Sequence, residues 1–215
     1  MWGLDNITAI KTRKLADEID KQFQLSKDVY EAIAKTDREL FVPKGFAYKA
    51  YKLDALPIAS KQWISSPLTV AKMTQYLDVE GADRVLEIGC GSGYQAAVLS
   101  NLFRGVFTIE RIEPLLMEAR ARFKQMGVSN IHTRLDDGQN GWIQYALYDR
   151  ILFSAAIDVV PKKIFEQLSD KGVLIAPIQK EDRQIITKFI KRGGRIEKKE
   201  IEACDFVPIV NGTQK

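Results

Sequence analysis

Histidine and cysteine are nearly missing from this chain: its 215 residues include one histidine, His132, and two cysteines, Cys90 and Cys204. Two cysteines are too few for a disulfide framework, and they lack the paired spacing of a zinc site. One imidazole leaves little for metal binding or for histidine-centred proton transfer, so no metal is expected. Long apolar runs are absent as well. No segment approaches the ~18 mainly apolar residues of a membrane helix, and MWGLDNITAIKTRK scatters charges where an export signal would carry an apolar block. Neither export nor membrane contact is indicated, and the cytoplasm is the expected compartment. There is no internal repeat and no flexible Ser/Gly linker, so one continuous unit is expected.

What is present suits a folded chain with one sizeable core: 46% hydrophobic and 28% charged residues, with a net charge of +4. Basic residues concentrate only in KRGGRIEKKE, residues 191 to 200. A nucleic-acid patch there would need aromatic or further basic support. A glycine pair followed by alternating charged and apolar residues instead matches a two-residue hairpin loop, and no nucleic-acid partner is expected.

Residues 8 to 35 read as helical, with Leu15, Ile19 and Phe23 at four-residue spacing and a second short segment around Val29 and Ile33. Pro43 and Gly45 then break the pattern. This helical N-terminal portion, residues 1 to 78, precedes an α/β core over 79 to 215. In that core RVLEIG, GVFTIE and IHTRL read as strands, separated by helices in AAVLSNLF and PLLMEARARFKQMG. YDRILFSAA, KKIFEQL and GVLIAPI repeat strand, helix, strand, and ITKFIKR with RIEKKEIEACDFVPIV close the chain as two antiparallel strands. The fold class is a doubly wound, mostly parallel α/β sheet.

Ligands of such sheets bind beyond the carboxyl ends of the strands. After the first strand comes EIGCGSGY, with Gly89, Gly91 and Gly93, where missing Cβ atoms let backbone N–H groups approach a ligand at the helix N-terminus. After the second comes Glu110, placed to accept hydrogen bonds from ribose hydroxyls; after the third come Asp136, Asp137 and Gly138. A dinucleotide fingerprint requires a further small residue where Tyr94 stands, which disfavours a pyrophosphate ligand and an NAD-dependent oxidoreductase. Glu87 adds negative charge that repels diphosphate but tolerates an ammonium or sulfonium. S-adenosylmethionine has that combination: ribose for Glu110, adenine near Asp137 and Gly138, and a cationic end beside Glu87. Scarce histidine then favours an acceptor needing no base, such as a carboxylate, which is already ionised at neutral pH.

Upstream, QWISSPLTVAKM places two serines before Pro67 and a helix-like run. Ser66 is the natural N-cap, with Pro67 at the first helical position. Ser65 either bonds to local backbone or faces a ligand.

From RELFVP through ALPI, ISSPLTVAKMTQYL, VLEIGCGSGYQAAVLS, FTIERIEPL, DDGQNGW, YDRILFSAA, VPKKIFEQL and VLIAPI to DFVPI, the chain resembles the protein-L-isoaspartate O-methyltransferases over most of its length after residue 38. The glycine loop indicates only the broad methyltransferase class; ISSP and the closing FVP carry the specific likeness. The resemblance implies methyl transfer from S-adenosylmethionine, leaving S-adenosylhomocysteine, to the free α-carboxylate of L-isoaspartyl residues in damaged proteins, which starts their return to aspartyl linkages. It implies that Ser65 faces cofactor and substrate carboxylate. It further implies that Ile64, Glu87, Gly89, Gly91, Gly93, Glu110, Asp137 and Gly138 contact the cofactor, and that Val207 and Pro208 border the peptide. Trp63 stands where many members have threonine, Ala59 and Gln179 where glycine is usual. Trp63 either narrows the peptide groove or packs against the N-terminal helices, and packing is expected of so large an aromatic. A methyltransferase acting on nucleic acid or a small metabolite shares the sheet, loop and Glu110, but no Asn/Asp-Pro-Pro-aromatic motif is present. A cofactor-binding protein without catalysis is the third possibility, indicated if Ser65 bonds only to local backbone.

Overall fold

The computed structural model describes residues 4–215. Two helices come first, α1 (Asn6–Gln22) and α2 (Lys27–Ala34), each started by a side-chain cap: Asp5 accepts the Ile7 and Thr8 N–H groups, and Ser26 accepts that of Val29. Leu15, Ile19, Val29 and Ile33 are buried, as their spacing predicts. Phe23 falls just past the end of α1 in extended conformation and packs edge-on against Tyr76, with ring centroids 5.6 Å apart. A small hairpin of β1 (Leu56–Pro57) and β2 (Trp63–Ile64) then delivers residues 63 to 66 to the start of α3 (Pro67–Tyr76).

The core alternates β3 (Arg84–Ile88), α4 (Tyr94–Ser100), β4 (Gly105–Glu110), α5 (Glu113–Gln125), β5 (Ile131–Leu135), β6 (Tyr148–Phe153), α6 (Lys162–Glu166) and β7 (Leu168–Gln179), and ends in β8 (Gln184–Arg192) and β9 (Arg195–Cys204). The sheet order is β5-β4-β3-β6-β7-β8-β9, parallel from β5 to β7 and antiparallel thereafter. The order reverses at β3, so the crevice for a ligand opens there. KKIFEQL supplies only five helical residues, because Leu168 is already drawn into register with Tyr148 and β7 begins earlier than GVLIAPI suggests. Gly193 and Gly194, both at positive φ (+55° and +78°), form the two-residue turn between the paired Arg192 and Arg195. The basic run is therefore a hairpin tip, and β9 protects its sheet edge with charged side chains, Glu197, Lys198, Lys199, Glu200 and Glu202 among them.

Strand parity places the chemistry. Val85 and Val106 join the apolar cluster built with Leu15, Ile19, Ile33 and Val70 of the N-terminal helices, whereas Leu86, Ile88, Phe107 and Ile109 join the cluster on the opposite face. Side chains alternate along a strand, and Glu87 pairs in register with Thr108. Glu87, Thr108 and Glu110 therefore lie on the face covered by α1 to α3, where residues 63 to 66 arrive. Among the described residues no helix is long and apolar enough to cross a membrane.

Candidate active site

The glycine loop after β3 is held by its neighbour strand. The Gly89 and Cys90 N–H groups both donate to the Ile109 carbonyl, at 2.9 and 3.1 Å, Gly91 N–H donates to Glu110 Oε2 at 2.7 Å, and Gly93 N–H donates to the Cys90 carbonyl at 2.9 Å. These donors are consumed inside the protein. The loop thus offers a ligand its shape rather than a nest of free N–H groups, a correction to the sequence expectation and a second physical reason against a diphosphate ligand.

The glycines divide into two kinds. Gly89 and Gly91 line a cavity at the carboxyl ends of β3, β4 and β6; a Cβ on Gly91 meets nothing within 4 Å, and one on Gly89 rests on Ser154 at 3.5 Å. Gly93 and Gly138 do not line it. A Cβ on Gly93 would sit 2.8 Å from the Phe123 ring, and one on Gly138 would sit 2.7 Å from Ile88 Cγ2. Their requirement is close packing of α5 and of the turn after β5 behind the cavity wall, so direct cofactor contact is not where the geometry puts them. Gly93 makes the close approach, to Phe123 of α5, and the Tyr94 ring turns toward Phe41 and Arg38.

Glu110 lies on the cavity wall and its carboxylate is held by three backbone N–H groups, from Arg111 and Ile112 to Oε1 (both 2.9 Å) and from Gly91 to Oε2. A carboxylate has about four acceptor sites, so Oε2 retains capacity for a ligand hydroxyl. Asp137 shares the wall and accepts the Gln139 N–H at 3.0 Å. Glu87 is wholly buried, accepting the Thr108 hydroxyl at 2.6 Å and the Ser154 hydroxyl at 3.1 Å. Burial drives its pKa up to about 8 against those two bonds, and the nearby Glu110 charge adds to the rise. The standing negative charge expected of Glu87 is thus corrected: without a cation beside it, the carboxyl holds its proton at neutral pH. The Cys90 thiol on the same wall is also buried and its pKa is pushed well up, chiefly by desolvation. It is an apolar lining, not a nucleophile.

Ser66 caps α3, its hydroxyl accepting the Leu68 N–H at 3.2 Å. Among the described residues the Ser65 hydroxyl makes no hydrogen bond of its own, and the residue lines both the first cavity and a second one of about 560 Å³ bounded by Trp63, Lys72, Ile186, Glu202 and Asp205. Trp63, Ser65, Thr69, Ser154, Phe206 and Val207 form the wall that the two cavities share. Ile64 and Pro208 line the first. Val207 and Pro208 reach the site because the returning chain pairs with the loop after β6: Ala156 donates to the Val207 carbonyl at 2.8 Å and Ile209 to that of Ala156 at 2.7 Å. Trp63 is not the buried packing residue expected of so large an aromatic. It is 55% exposed and borders both cavities, which overturns the packing expectation. Sequence reasoning passed over Ser154 and Thr69; Ser154 stands immediately after β6, a position that the strand-end rule itself selects. No group of three or more His, Cys, Asp or Glu among the described residues is placed to hold a metal.

A parallel sheet whose order reverses at β3, a glycine turn there and an acidic residue ending the neighbouring strand define a Rossmann-like methyltransferase fold. The chain belongs to the protein-L-isoaspartate(D-aspartate) O-methyltransferase family, whose pattern it matches over residues 10–214. It is 51% identical over 209 residues to the protein-L-isoaspartate O-methyltransferase of Helicobacter pylori strain P12, covering 97% of this chain and 100% of that protein. A solved protein-L-isoaspartate O-methyltransferase superposes with a TM-score of 0.85 at 26% identity, over 92% of this chain and 65% of that longer one. A crystal structure from Plasmodium falciparum, described as a member of the same family in complex with S-adenosyl-L-homocysteine, gives 0.83 at 20% identity over 93% of this chain and 98% of that one.

Proposed function

We propose that the chain transfers a methyl group from S-adenosylmethionine to the free α-carboxylate of an L-isoaspartyl residue in a damaged protein or peptide, with Ser65 at the point of transfer. The observation that carries the assignment of roles is that Ser65 lies on the wall between two adjoining cavities. The first, lined by Gly89, Gly91, Glu110 and Asp137, takes the cofactor. The second, bordered by Trp63, Lys72 and Asp205, takes the peptide.

Bound S-adenosylmethionine supplies a methyl group on a sulfonium sulfur. The protein's residues have three tasks. Glu110 Oε2 accepts a ribose hydroxyl, while Glu87 faces the cationic amino-acid end and gives up its proton when that cation arrives. Ser65 donates its unclaimed hydroxyl to one oxygen of the substrate carboxylate and turns the other toward the methyl group. The attacking oxygen forms the new C–O bond as the C–S bond breaks, and the sulfur keeps that electron pair. A carboxylate arrives ionised, so no side chain has to remove a proton, and alignment with exclusion of water is the main contribution. Val207 and Pro208, held against the loop after β6, border the peptide backbone.

The test is methyl transfer from labelled S-adenosylmethionine to one short peptide made with L-isoaspartate or with ordinary L-aspartate at a single position, scored as base-labile ester. Ester on the isoaspartyl form alone is expected. Ester on neither form, with S-adenosylmethionine still bound, would move the acceptor to another class.

A further inference from the structure

Arg38 is a wholly buried cation with no carboxylate hydrogen-bonded to it. Its guanidinium donates only to backbone carbonyls: Nη1 to Ala50 at 2.8 Å and Lys52 at 3.4 Å, Nη2 to Asp54 at 2.8 Å and Ser65 at 3.1 Å. Nε has no acceptor. Burying an arginine without a bonded anion is costly, and desolvation lowers its pKa, so the four carbonyls it gathers must matter to the fold or to the site.

Those carbonyls lie on the two flanks of the hairpin that delivers Ser65. Leu56 pairs with Ile64 at its base, and just outside that pair the single nitrogen Nη2 joins the Asp54 carbonyl on one flank to the Ser65 carbonyl on the other. The guanidinium carbon also sits 5.8 Å from the centroid of the Tyr94 ring. Tyr94 is the first residue of α4, directly after the glycine loop, and it lines the cofactor cavity. One planar group therefore touches the Ser65 peptide, the 50–54 segment and the side chain that begins the cofactor helix. Lysine cannot replace it, since one ammonium nitrogen does not span a fork of acceptors in these directions.

We propose that Arg38 is a positioning residue for methyl transfer: by fixing the Ser65 carbonyl against residues 50 to 54 and the start of α4, it sets where the Ser65 hydroxyl stands between the two cavities. This rests on the assignment of Ser65 in the proposed function. The full-length chain is compared as wild type, Arg38→Lys, Ser65→Ala and the double variant, with S-adenosylmethionine affinity, kcat and KM for the isoaspartyl peptide measured for each. Arg38→Lys is expected to lower kcat about tenfold or more, the scale of a small misplacement of a reacting group, with cofactor affinity within a few-fold. In the Ser65→Ala background the same substitution is expected to have little further effect on kcat. Arg38→Gln, whose planar amide keeps two donors, replaces the lysine variant if that one fails to bind cofactor. Unchanged kcat in Arg38→Lys, or a full multiplicative loss in the double variant, overturns the proposal and leaves the Ser65 assignment standing. Normal kcat in Ser65→Ala overturns both. Loss of cofactor binding in both Arg38 variants makes the residue a support of the fold alone and also overturns it.

Discussion

Glu110 Oε2 accepts the Gly91 N–H at 2.7 Å, so the residue ending β4 holds the glycine turn that follows β3. A ligand hydroxyl that bonds Glu110 thus meets a wall already tied to the loop beneath it. Gly91 and Gly93, two residues apart, should consequently respond differently to substitution. Gly91→Ala places its Cβ in open space but at φ +53°, at a strain of about 1–2 kcal/mol, and its main effect is expected on S-adenosylmethionine affinity. Gly93→Ala adds a collision with Phe123 at 2.8 Å to φ +92° and is expected to cost more stability than Gly91→Ala. Thermal melts with and without cofactor separate the two.

The two adjacent serines are expected to part in the same way. Ser66→Ala removes the cap on the Leu68 N–H and should cost about 1 kcal/mol of stability with near-normal kinetics. Ser65→Ala should leave S-adenosylmethionine affinity within a few-fold and lower turnover by ~10²-fold, the scale seen when one orienting donor is lost. A melting curve and a kcat measurement on each variant suffice; the reverse pattern would exchange their roles.

Glu87 should make cofactor binding release a proton. Its folded pKa of about 8 lies above the ordinary 4.5, so a cation bound beside it favours the ionised form, and at pH 7 close to one proton should leave per binding event, about 0.9 at most. Calorimetry in two buffers of different ionisation enthalpy measures this, and Glu87→Gln should abolish it. The same displacement fixes the sign for the ligand-free fold. The unfolded chain is ionised between about pH 4.5 and pH 8 while the folded one still holds the proton, so Glu87's contribution to stability is present below that range and declines as pH rises through it. Unfolding of wild type and Glu87→Gln across these pH values should show the wild type losing ground.

Trp63, exposed at the mouth of both cavities, should act on the peptide and not on the cofactor. Trp63→Thr is expected to shift KM for isoaspartyl peptides with S-adenosylmethionine affinity kept within about twofold, since an exposed aromatic contributes contact area to whatever lies against it. Equal KM across peptides with different neighbours of the isoaspartate, in both proteins, would remove Trp63 from the groove.

Much of this architecture could be read along the chain, for local reasons. Hydrophobic periods of two and 3.6 residues mark the strands and helices, GG at 193 and 194 encodes the hairpin turn, SP at 66 and 67 encodes the start of α3, and residues just after strands lie at the sheet's carboxyl edge whatever the rest of the fold does. These signals single out Glu110, Gly89 and Gly91, which line the first cavity, and the family likeness singles out Ser65, which borders both cavities. Other properties depend on which distant segments meet. Gly93 and Gly138 look the same in sequence as the glycines on the wall, and only the approach of Phe123 and Ile88 makes them packing positions. Glu87 reads as a charge until the fold buries it, and that desolvation raises its pKa against the bonds from Thr108 and Ser154. Trp63 reads as a packing residue until the hairpin turns it outward, and Arg38 is one of many basic residues until chain segments 12 to 27 residues away bring four carbonyls to its guanidinium. Periodicity and turn chemistry act within a few residues, so the sequence by itself determined the elements and the strand-end site. Burial, and with it charge state, orientation and shared walls, is a property of contacts between segments far apart, and the tertiary structure alone decided those.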